Sequence, residues 1–359
     1  MLKGNKGEWS EIYTLLKIIA DGKLYGGDEN LQRIDALISP ILKVIRTESD
    51  GTFEYETQQD LVIVSGNGEQ VRIPLSEFQH NAALLLQHIK AAKEASFELP
   101  DIAAFARSFN CTSLKAKSSS KSDIRIIIHD ERTCMSPELG FSIKSQLGSA
   151  STLLNAGRTT NFIFKITGKK LSDEQVAAIN AIDTRSKIKD RLAQIQAHDA
   201  QLQFYKTENV MFANNLTLID SRLPALLADI LQVFYSSSHS TLIDLLDDIT
   251  QRNPLNFDQS EQHPFYSYKI TRFLTDIALG MMPATMWTGE LEATGGYLVV
   301  KEDGDILAYH IYNRNFFENY LLNNTKLDTA SSTKHGFGKI YSEAGEQFFK
   351  LNLQIRFKH

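Results

Sequence analysis

The order of apolar and polar positions along the chain predicts a mixed α/β protein. Trp9, Ile12, Tyr13 and Leu16 fall on one stripe at helical spacing, which predicts a first helix from Lys6 to about Ala20. Period-two alternation and short apolar runs between turn residues predict strands at 38–46, 52–56, 61–75 (two strands around a Gly-Asn-Gly turn), 112–117, 123–129, 139–146 and 160–166.

Helical patterns dominate the next part of the chain, and strands return near its end. Helices are predicted for 76–92 with Ser76 as the cap, after Pro100, and at 173–182, 187–204, 222–235 and about 265–279. A hairpin around Asp303-Gly304 and a closing strand, LNLQIRF, follow. The polar segment 253–264 is the predicted linker. The pattern therefore favours an α+β mixed sheet in three parts: 1–170 (first helix and strand-rich core), 171–260 (mainly helical) and 261–359 (α+β, packed on the core).

Composition is that of an ordinary soluble protein, with 42% apolar and 23% charged residues among 359. No apolar run is long enough for a membrane helix, and the N-terminus has no apolar signal core, so we expect a cytoplasmic protein without a membrane partner. Two cysteines, Cys111 and Cys134, form neither a disulfide framework nor a zinc site and are expected to be free thiols.

Charge is unevenly distributed. The net charge of −5 argues against a generally basic coat for nucleic acid, but residues 111–170 carry ten Lys and Arg against four Asp and Glu. A positive block within an acidic protein attracts a polyanion locally while the remaining surface repels it.

The basic block contains the arrangement with the clearest chemistry. In the predicted strand GFSIKSQ, the side chains of Ser142, Lys144 and Gln146 share the face opposite Phe141. Asp123 opens the preceding strand, and antiparallel pairing would bring its carboxylate close to Lys144. A carboxylate that holds Mg²⁺, together with a lysine that offsets charge at phosphate, is the core of a metal-dependent phosphodiesterase. Phosphate-loop, serine-hydrolase and zinc-protease motifs are absent.

The triplet is similar to the PD-(D/E)xK nuclease signature, except that Ser142 stands where the second acid is usual. The candidates to replace that acid are Gln146, on the face of Lys144, Glu11 or Glu8 from the first helix, and Glu138, which has the same alternation as Lys144 but lies farther away along the strand. The spacing of KGEWSE is similar to the helix-borne glutamate of archaeal junction-resolving nucleases, which favours Glu11. The predicted metal ligands are Asp123, Gln146 and Glu11.

Longer stretches resemble the HpaII family of type II restriction endonucleases over essentially the whole chain. They are NKGEWSEIYTLLKIIADGKLY, KAKSSSKSDI, LGFSIKSQLGSASTLLNAGRTTNFIFKI, GGYLVVKEDGDILAYHIYNRNFFENYLL and LNLQIRF. The resemblance implies a restriction-endonuclease-like fold and Mg²⁺-dependent cleavage of both strands of duplex DNA at CCGG, after the first C. It also implies a cognate cytosine methyltransferase that acts on the same DNA site without being a stable partner.

Further residues are candidates for contacts to DNA. We expect Lys115, Lys117 and Lys121 to position phosphates. Arg158, Thr160 and Asn161 follow the catalytic strand, and the loop Thr329 to Gly338 carries Lys334 and His335; both segments have the residue types of base readers, and both are equally typical of ordinary polar loops.

The palindromic site favours a homodimer, at least on DNA. Two alternatives to a restriction enzyme stay open from the residues alone. One is a structure-selective repair or junction nuclease, and the other is a DNA-binding module that has lost catalysis.

Overall fold

The computed structural model describes residues 2–115, 122–130 and 134–358. Its strands are β1 (Lys3–Gly4), β2 (Lys23–Gly27), β3 (Arg33–Thr47), β4 (Thr52–Gln58), β5 (Leu61–Gly66), β6 (Glu69–Pro74), β7 (Phe97–Glu98), β8 (Ile124–Ile128), β9 (Glu138–Ser145), β10 (Thr152–Leu154), β11 (Asn161–Gly168), β12 (Ala200–Thr207), β13 (Gly296–Val300), β14 (Ile306–His310), β15 (Thr325–Leu327), β16 (Ile340–Glu343), β17 (Glu346–Asn352) and β18 (Ile355–Phe357). Its helices are α1 (Lys6–Asp21), α2 (Leu75–Ala91), α3 (Pro100–Ser108), α4 (Asp173–Ala181), α5 (Lys187–Ala197), α6 (Val210–Ile219), α7 (Leu223–Ser236), α8 (Leu242–Arg252), α9 (Phe265–Leu279), α10 (Arg314–Asn323) and α11 (Ser332–His335).

The largest sheet is mixed and runs in the order β2-β14-β13-β9-β8-β3-β4-β5-β6. Strand β13 is parallel to β9, and β14 is parallel to β2, whereas β8 and β9 are antiparallel. The long strand β3 pairs with β2 through its first half and with β8 and β4 through its second half. Strands β8 and β9, which carry the candidate chemistry, therefore lie near the middle of the sheet. The prediction of a mixed α/β protein is confirmed.

Two hydrophobic cores cover different faces of this sheet, and strand alternation assigns residues to each. In β13, Leu298 and Val300 enter the core that contains α1 and α2, while Tyr297 and Val299 enter the core built with α6 to α10. Phe141 of β9 belongs to the first core. Neighbouring residues of β9 and β13 thus serve opposite faces, as the sequence pattern predicts.

Strand pairing crosses the predicted boundaries at 170 and 260. A second, antiparallel sheet has the order β12-β11-β17-β16, so strands from all three predicted parts lie side by side. Strands β13 and β14 are inserted into the large sheet rather than packed on it. The three segments are therefore interleaved in the structure, because strands of one segment form backbone hydrogen bonds with strands of another.

Several predicted elements differ in the structure. The helix predicted for 187–204 ends at Ala197, because Asp199 takes a left-handed φ of 58° and the next residues pair as β12 with β11. Helix α2 begins at Leu75 after Pro74, so Ser76 lies within its first turn and is not the cap. The closing segment LNLQIRF is divided between β17 and β18. Residues 112–115 form no strand, and the rest of that predicted strand, 116–117, lies outside the described residues.

No helix in the described ranges is long and apolar enough to cross a membrane. Cys111 and Cys134 form no disulfide with each other.

Candidate active site

Asp123 lies where β8 and β9 begin to separate. Its backbone N–H donates to the carbonyl of Phe141 at 2.8 Å, just before the pairing of Ile124 with Phe141. Its carboxylate then turns along β9, where Oδ2 accepts hydrogen bonds from the N–H of Ile143 at 2.7 Å and from Ser142 Oγ at 3.0 Å. The carboxylate thereby occupies the edge that β8 leaves open, and its orientation is fixed by two donors.

Lys144 is joined to this carboxylate through Ser142. Lys144 Nζ donates to Ser142 Oγ at 3.0 Å, and the same hydroxyl donates to Asp123. The ammonium also lies 4.8 Å from the ring centroid of buried Tyr297, within the range of a cation–π contact. Burial lowers the pKa of Lys144, while the charges of Asp123 and Glu11 act in the opposite direction. Ser142 therefore links the Asp123 carboxylate to the Lys144 ammonium. Its hydroxyl occupies the position where a second acid is usual.

Helix α1 brings two glutamates towards this region, and the structure distinguishes them. Glu8 closes the capping box of α1: its Oε2 accepts from the N–H of Asn5 at 2.9 Å, and its carboxylate pairs with Lys115 at 3.2 Å. These contacts lower the pKa of Glu8, the hydrogen bond from Asn5 being the largest cause. The Glu8 carboxylate thus caps the N-terminus of α1.

Glu11 lies one turn further along α1 and is in a different environment. Burial raises its pKa to about 7, and the charge of Asp123 acts in the same direction, while Arg46 and Lys115 oppose it. The adjacent residue, Ser10, holds α1 against β9 through a 2.8 Å hydrogen bond to Ser145. Glu11 is therefore a partly buried carboxyl. Among the acidic groups, Asp123, just before β8, raises its pKa most.

Gln146 follows the end of β9, where its N–H donates to the carbonyl of Val300 at 2.9 Å. Lys144, Ser145 and Gln146 line one small cavity together with Val299 and Tyr320. Among the described residues, no hydrogen bond joins its side chain to Asp123 or Lys144.

Two residues near the site had no distinctive sequence signal. Arg46, in β3, is buried and pairs with buried Glu48 at 2.6 Å. It also donates to the carbonyls of Ser113 and Leu114, and so fixes the segment that presents Lys115. The second such residue is Tyr297. Its contact with Lys144 depends on the parallel pairing of β13 with β9, two strands that are remote in sequence.

Among the residues predicted to contact DNA, Lys115 and Arg158 are exposed. Lys117 and Lys121 lie outside the described residues. Thr160 and Asn161 are buried, with 0% and 1% of their surface exposed. Thr160 Oγ1 accepts a 3.1 Å hydrogen bond from Asn352, and Asn161 hydrogen-bonds Asn352, Glu208 and the carbonyl of His335. These two side chains are turned into the protein, where their polar groups bind other protein groups, and their contact with DNA stays a prediction.

The loop 331–338 carries Lys334 and His335 and is held by hydrogen bonds to other elements. Asn161 donates to the carbonyl of His335 at 2.9 Å, and buried Arg191 donates to the carbonyl of Gly338. Gly336 has a left-handed φ of 66° and lies beside the side chain of Arg158. The structure therefore brings Arg158, Lys334 and His335 together on one loop surface that is anchored from beneath.

Comparisons with known proteins agree with a nuclease. The family model described as HpaII restriction endonuclease matches residues 5–357. The type II restriction enzyme HpaII of Haemophilus parainfluenzae is 48% identical over 357 residues, which is 99% of this chain and 98% of that protein. No solved structure matches the chain.

The chain is thus a site-specific deoxyribonuclease of the type II restriction class, with DNA as its substrate. It belongs to the HpaII family of restriction endonucleases, and the predicted resemblance is confirmed. Enzymes of this class generally depend on a divalent metal ion.

Proposed function

We propose that this enzyme cleaves both strands of duplex DNA at CCGG, after the first C, with Mg²⁺ as its cofactor and a PD-(D/E)xK-like core. The observation that carries the proposed chemistry is the linked set Lys144–Ser142–Asp123 beside Glu11. The site sequence is what membership of the family implies.

The residues present fit a divalent cation. Asp123 and Glu11 come from different elements. Burial raises the pKa of Glu11 and the charge of Asp123 acts in the same direction, so a bound cation would favour the ionised form of both carboxyls. Carboxylate oxygens are the ligands Mg²⁺ prefers, commonly one or two per ion with water and substrate phosphate. No group of three or more His, Cys, Asp and Glu that could hold a metal occurs in the described ranges, so a neutral oxygen, from Gln146 in our proposal, would complete the set.

Each protein group then has a separate task. When bound, Mg²⁺ polarises the scissile phosphate and makes a hydroxide available near neutral pH. Lys144 places a positive charge where negative charge accumulates on the phosphate oxygens in the transition state. Ser142 fixes the position of that ammonium by a hydrogen bond, and Tyr297 supports it by a cation–π contact. Asp123 is held in its rotamer by Ile143 N–H, so its carboxylate is already oriented before DNA binds.

The remaining parts of the proposal concern recognition and assembly. Arg158, Lys334 and His335 form the proposed DNA-contacting loop surface, with Lys115 on the phosphate backbone. We propose a homodimer on DNA, because a two-fold symmetric site is matched most simply by two-fold protein symmetry. A methyltransferase that modifies CCGG would protect the host DNA and need not bind this protein.

One experiment tests the reaction. Plasmid DNA is incubated with the protein and Mg²⁺, and the product ends are mapped. Cleavage only at CCGG, after the first C, supports the proposal; cuts at another fixed sequence would overturn the assigned site. Nicking confined to branched DNA would indicate a junction nuclease, and retarded but intact DNA would indicate a binding module.

The variant Asp123→Asn separates cutting from binding. It removes a proposed metal ligand but no base contact, so we expect cleavage to be lost while specific binding to a CCGG duplex in Ca²⁺ persists. Cleavage by Asp123→Asn at the parent rate would remove Asp123 from the catalytic site.

A further inference from the structure

A large basic cleft lies outside the catalytic site. Its volume is about 680 Å³, and it lies between the segment 180–191 and the loop and strand residues 332–350. Its charged lining consists of the cations Lys187, Arg191, Lys339 and Lys350 and the single acid Asp183. In a chain with a net charge of −5, four cations around one acid form a local reversal of sign.

The cations of the basic cleft have different partners. Arg191 is 3% exposed and donates to the carbonyls of Gly338, Asn180 and Ile182, so it ties the two walls together. Lys187 pairs with Asp183 at 2.8 Å, and Lys350 pairs with Glu208.

Lys339 is exposed and, within the described ranges, has no carboxylate within ion-pair distance. A neighbouring cavity shares Lys187, Ser332 and Thr333 with the basic cleft and adds Arg185, which is likewise exposed and outside any ion pair of the described residues. The two cavities thus form one continuous basic path along the outer side of loop 331–338.

We propose that this basic path binds the sugar–phosphate backbone of duplex DNA next to the recognised site. The inference rests on the proposed function, because the loop that forms one wall is the loop assigned to DNA contact. The chemistry of the lining supports a phosphodiester: Lys339 and Arg185 form no ion pair with any described carboxylate, and Ser332 and Thr333 supply hydroxyls. Repeated, exposed cations along a path suit a repeating polyanion better than a single small anion.

The walls are also held in place before any ligand arrives. Asn180 donates to the carbonyl of Ile340 at 2.9 Å and accepts from its N–H at 2.8 Å, which adds a second tie to that of Arg191. Because the walls are fixed in the free protein, binding need not order them, and the conformational cost of association is small.

The test uses the full-length protein with Lys339→Gln, Arg185→Gln and the double variant. Affinity for a CCGG duplex and for a duplex with one changed base is measured in Ca²⁺ over a range of salt concentrations. We expect the slope of log K against log salt to fall by about 1 for each lost phosphate contact, with similar losses on both duplexes. Lys93→Gln, an exposed lysine beyond α2 in the other half of the molecule, is the matched control and should leave the slope unchanged.

The outcomes separate the two proposals. A slope equal to that of the parent in both single variants and the double variant, in an enzyme that still cuts CCGG, overturns the basic path and leaves the proposed function intact. If the parent fails to cut CCGG while the slopes fall as expected, the proposed site sequence is wrong and the basic path stands.

Discussion

Lys144 and Asp123 are joined through one hydroxyl: Ser142 Oγ lies 3.0 Å from Lys144 Nζ and 3.0 Å from Asp123 Oδ2. A serine hydroxyl has one proton, so it donates to the carboxylate and accepts from the ammonium. This relationship gives the serine a defined task at a position where a second acid is usual in the PD-(D/E)xK signature. It also restricts which substitutions the site can accept.

Ser142 is 5% exposed, and two substitutions test its role. One removes its hydrogen bonds to Asp123 and Lys144, and the other adds a negative charge. Ser142→Ala removes both hydrogen bonds, and we expect cleavage to slow by about tenfold to a hundredfold, as for other groups that orient a catalytic side chain. Ser142→Glu adds a like charge next to Asp123 in a buried position and should be neutral or harmful. Single-turnover rates at saturating DNA measure both effects. Faster cleavage by Ser142→Glu than by the parent would show that the site lacks an acid.

Glu11 and Glu8 form a matched pair on α1. Glu11→Gln removes a proposed metal ligand, and because a bound metal is worth several kcal/mol to the transition state, cleavage should fall by about a hundredfold or more. Glu8→Gln weakens a capping box and an exposed ion pair, so it should mainly lower helix stability and change the rate much less. Rates are measured against Mg²⁺ concentration. Equal rates for the two variants would place Glu11 outside the site.

Gln146 tests the third proposed ligand. Gln146→Ala removes a neutral oxygen, so we expect a higher Mg²⁺ requirement with a smaller loss of rate at saturating Mg²⁺ than Glu11→Gln shows. The measurement is the Mg²⁺ dependence of the single-turnover rate. A parental rate in both Gln146→Ala and Glu11→Gln would mean that the second half of the metal site lies elsewhere.

Asn161 should act on recognition through the loop it holds. Asn161→Ala removes the hydrogen bond to the His335 carbonyl, and we expect it to reduce discrimination between CCGG and a duplex with one changed base. Asn215→Ala is the control, because Asn215 is similarly buried and holds residues 282–287 by comparable hydrogen bonds. Both variants should lose about 1–3 kcal/mol of stability. If discrimination falls equally in both, the effect is general destabilisation and not positioning of the loop.

The sequence predicts local elements closely and distant partnerships poorly. Helix α1 and helix α9 have nearly the predicted bounds, because an apolar stripe and the residues at each end determine them locally. Strand β12 was missed, since the composition of 198–204 suits a helix and only pairing with β11 makes it a strand.

The candidate site shows the same division. Alternation predicts that Ser142 and Lys144 share a face of β9, and the approach of Asp123 follows from one hairpin-like pairing. The support of Lys144 by Tyr297 depends on a strand more than 150 positions later in the sequence. The burial of Asn161 likewise depends on contacts with Asn352 and the loop at His335, and no local pattern reports those contacts.

The pH dependence of stability provides a test of Glu11 that does not require DNA. The pKa of Glu11 is raised from 4.5 to about 7 in the folded protein, so below pH 4.5 the carboxyl is protonated in both the folded and the unfolded chain and contributes no difference. As the pH rises from 4.5 to about 7, the unfolded chain releases its proton first, and the folded state loses stability relative to it. At about 1.4 kcal/mol per pKa unit, the loss is at most about 3.5 kcal/mol, complete above pH 7. The free energy of unfolding of the metal-free parent minus that of Glu11→Gln should therefore fall across this window, and Mg²⁺ at pH 8 should stabilise the parent more than the variant.

Glu8→Gln should show the opposite sign, because the pKa of Glu8 is lowered and its stabilisation is lost as the pH falls. A parent-minus-Glu11→Gln difference that is flat from pH 4 to pH 8 would show that Glu11 is not the strained carboxyl beside Asp123.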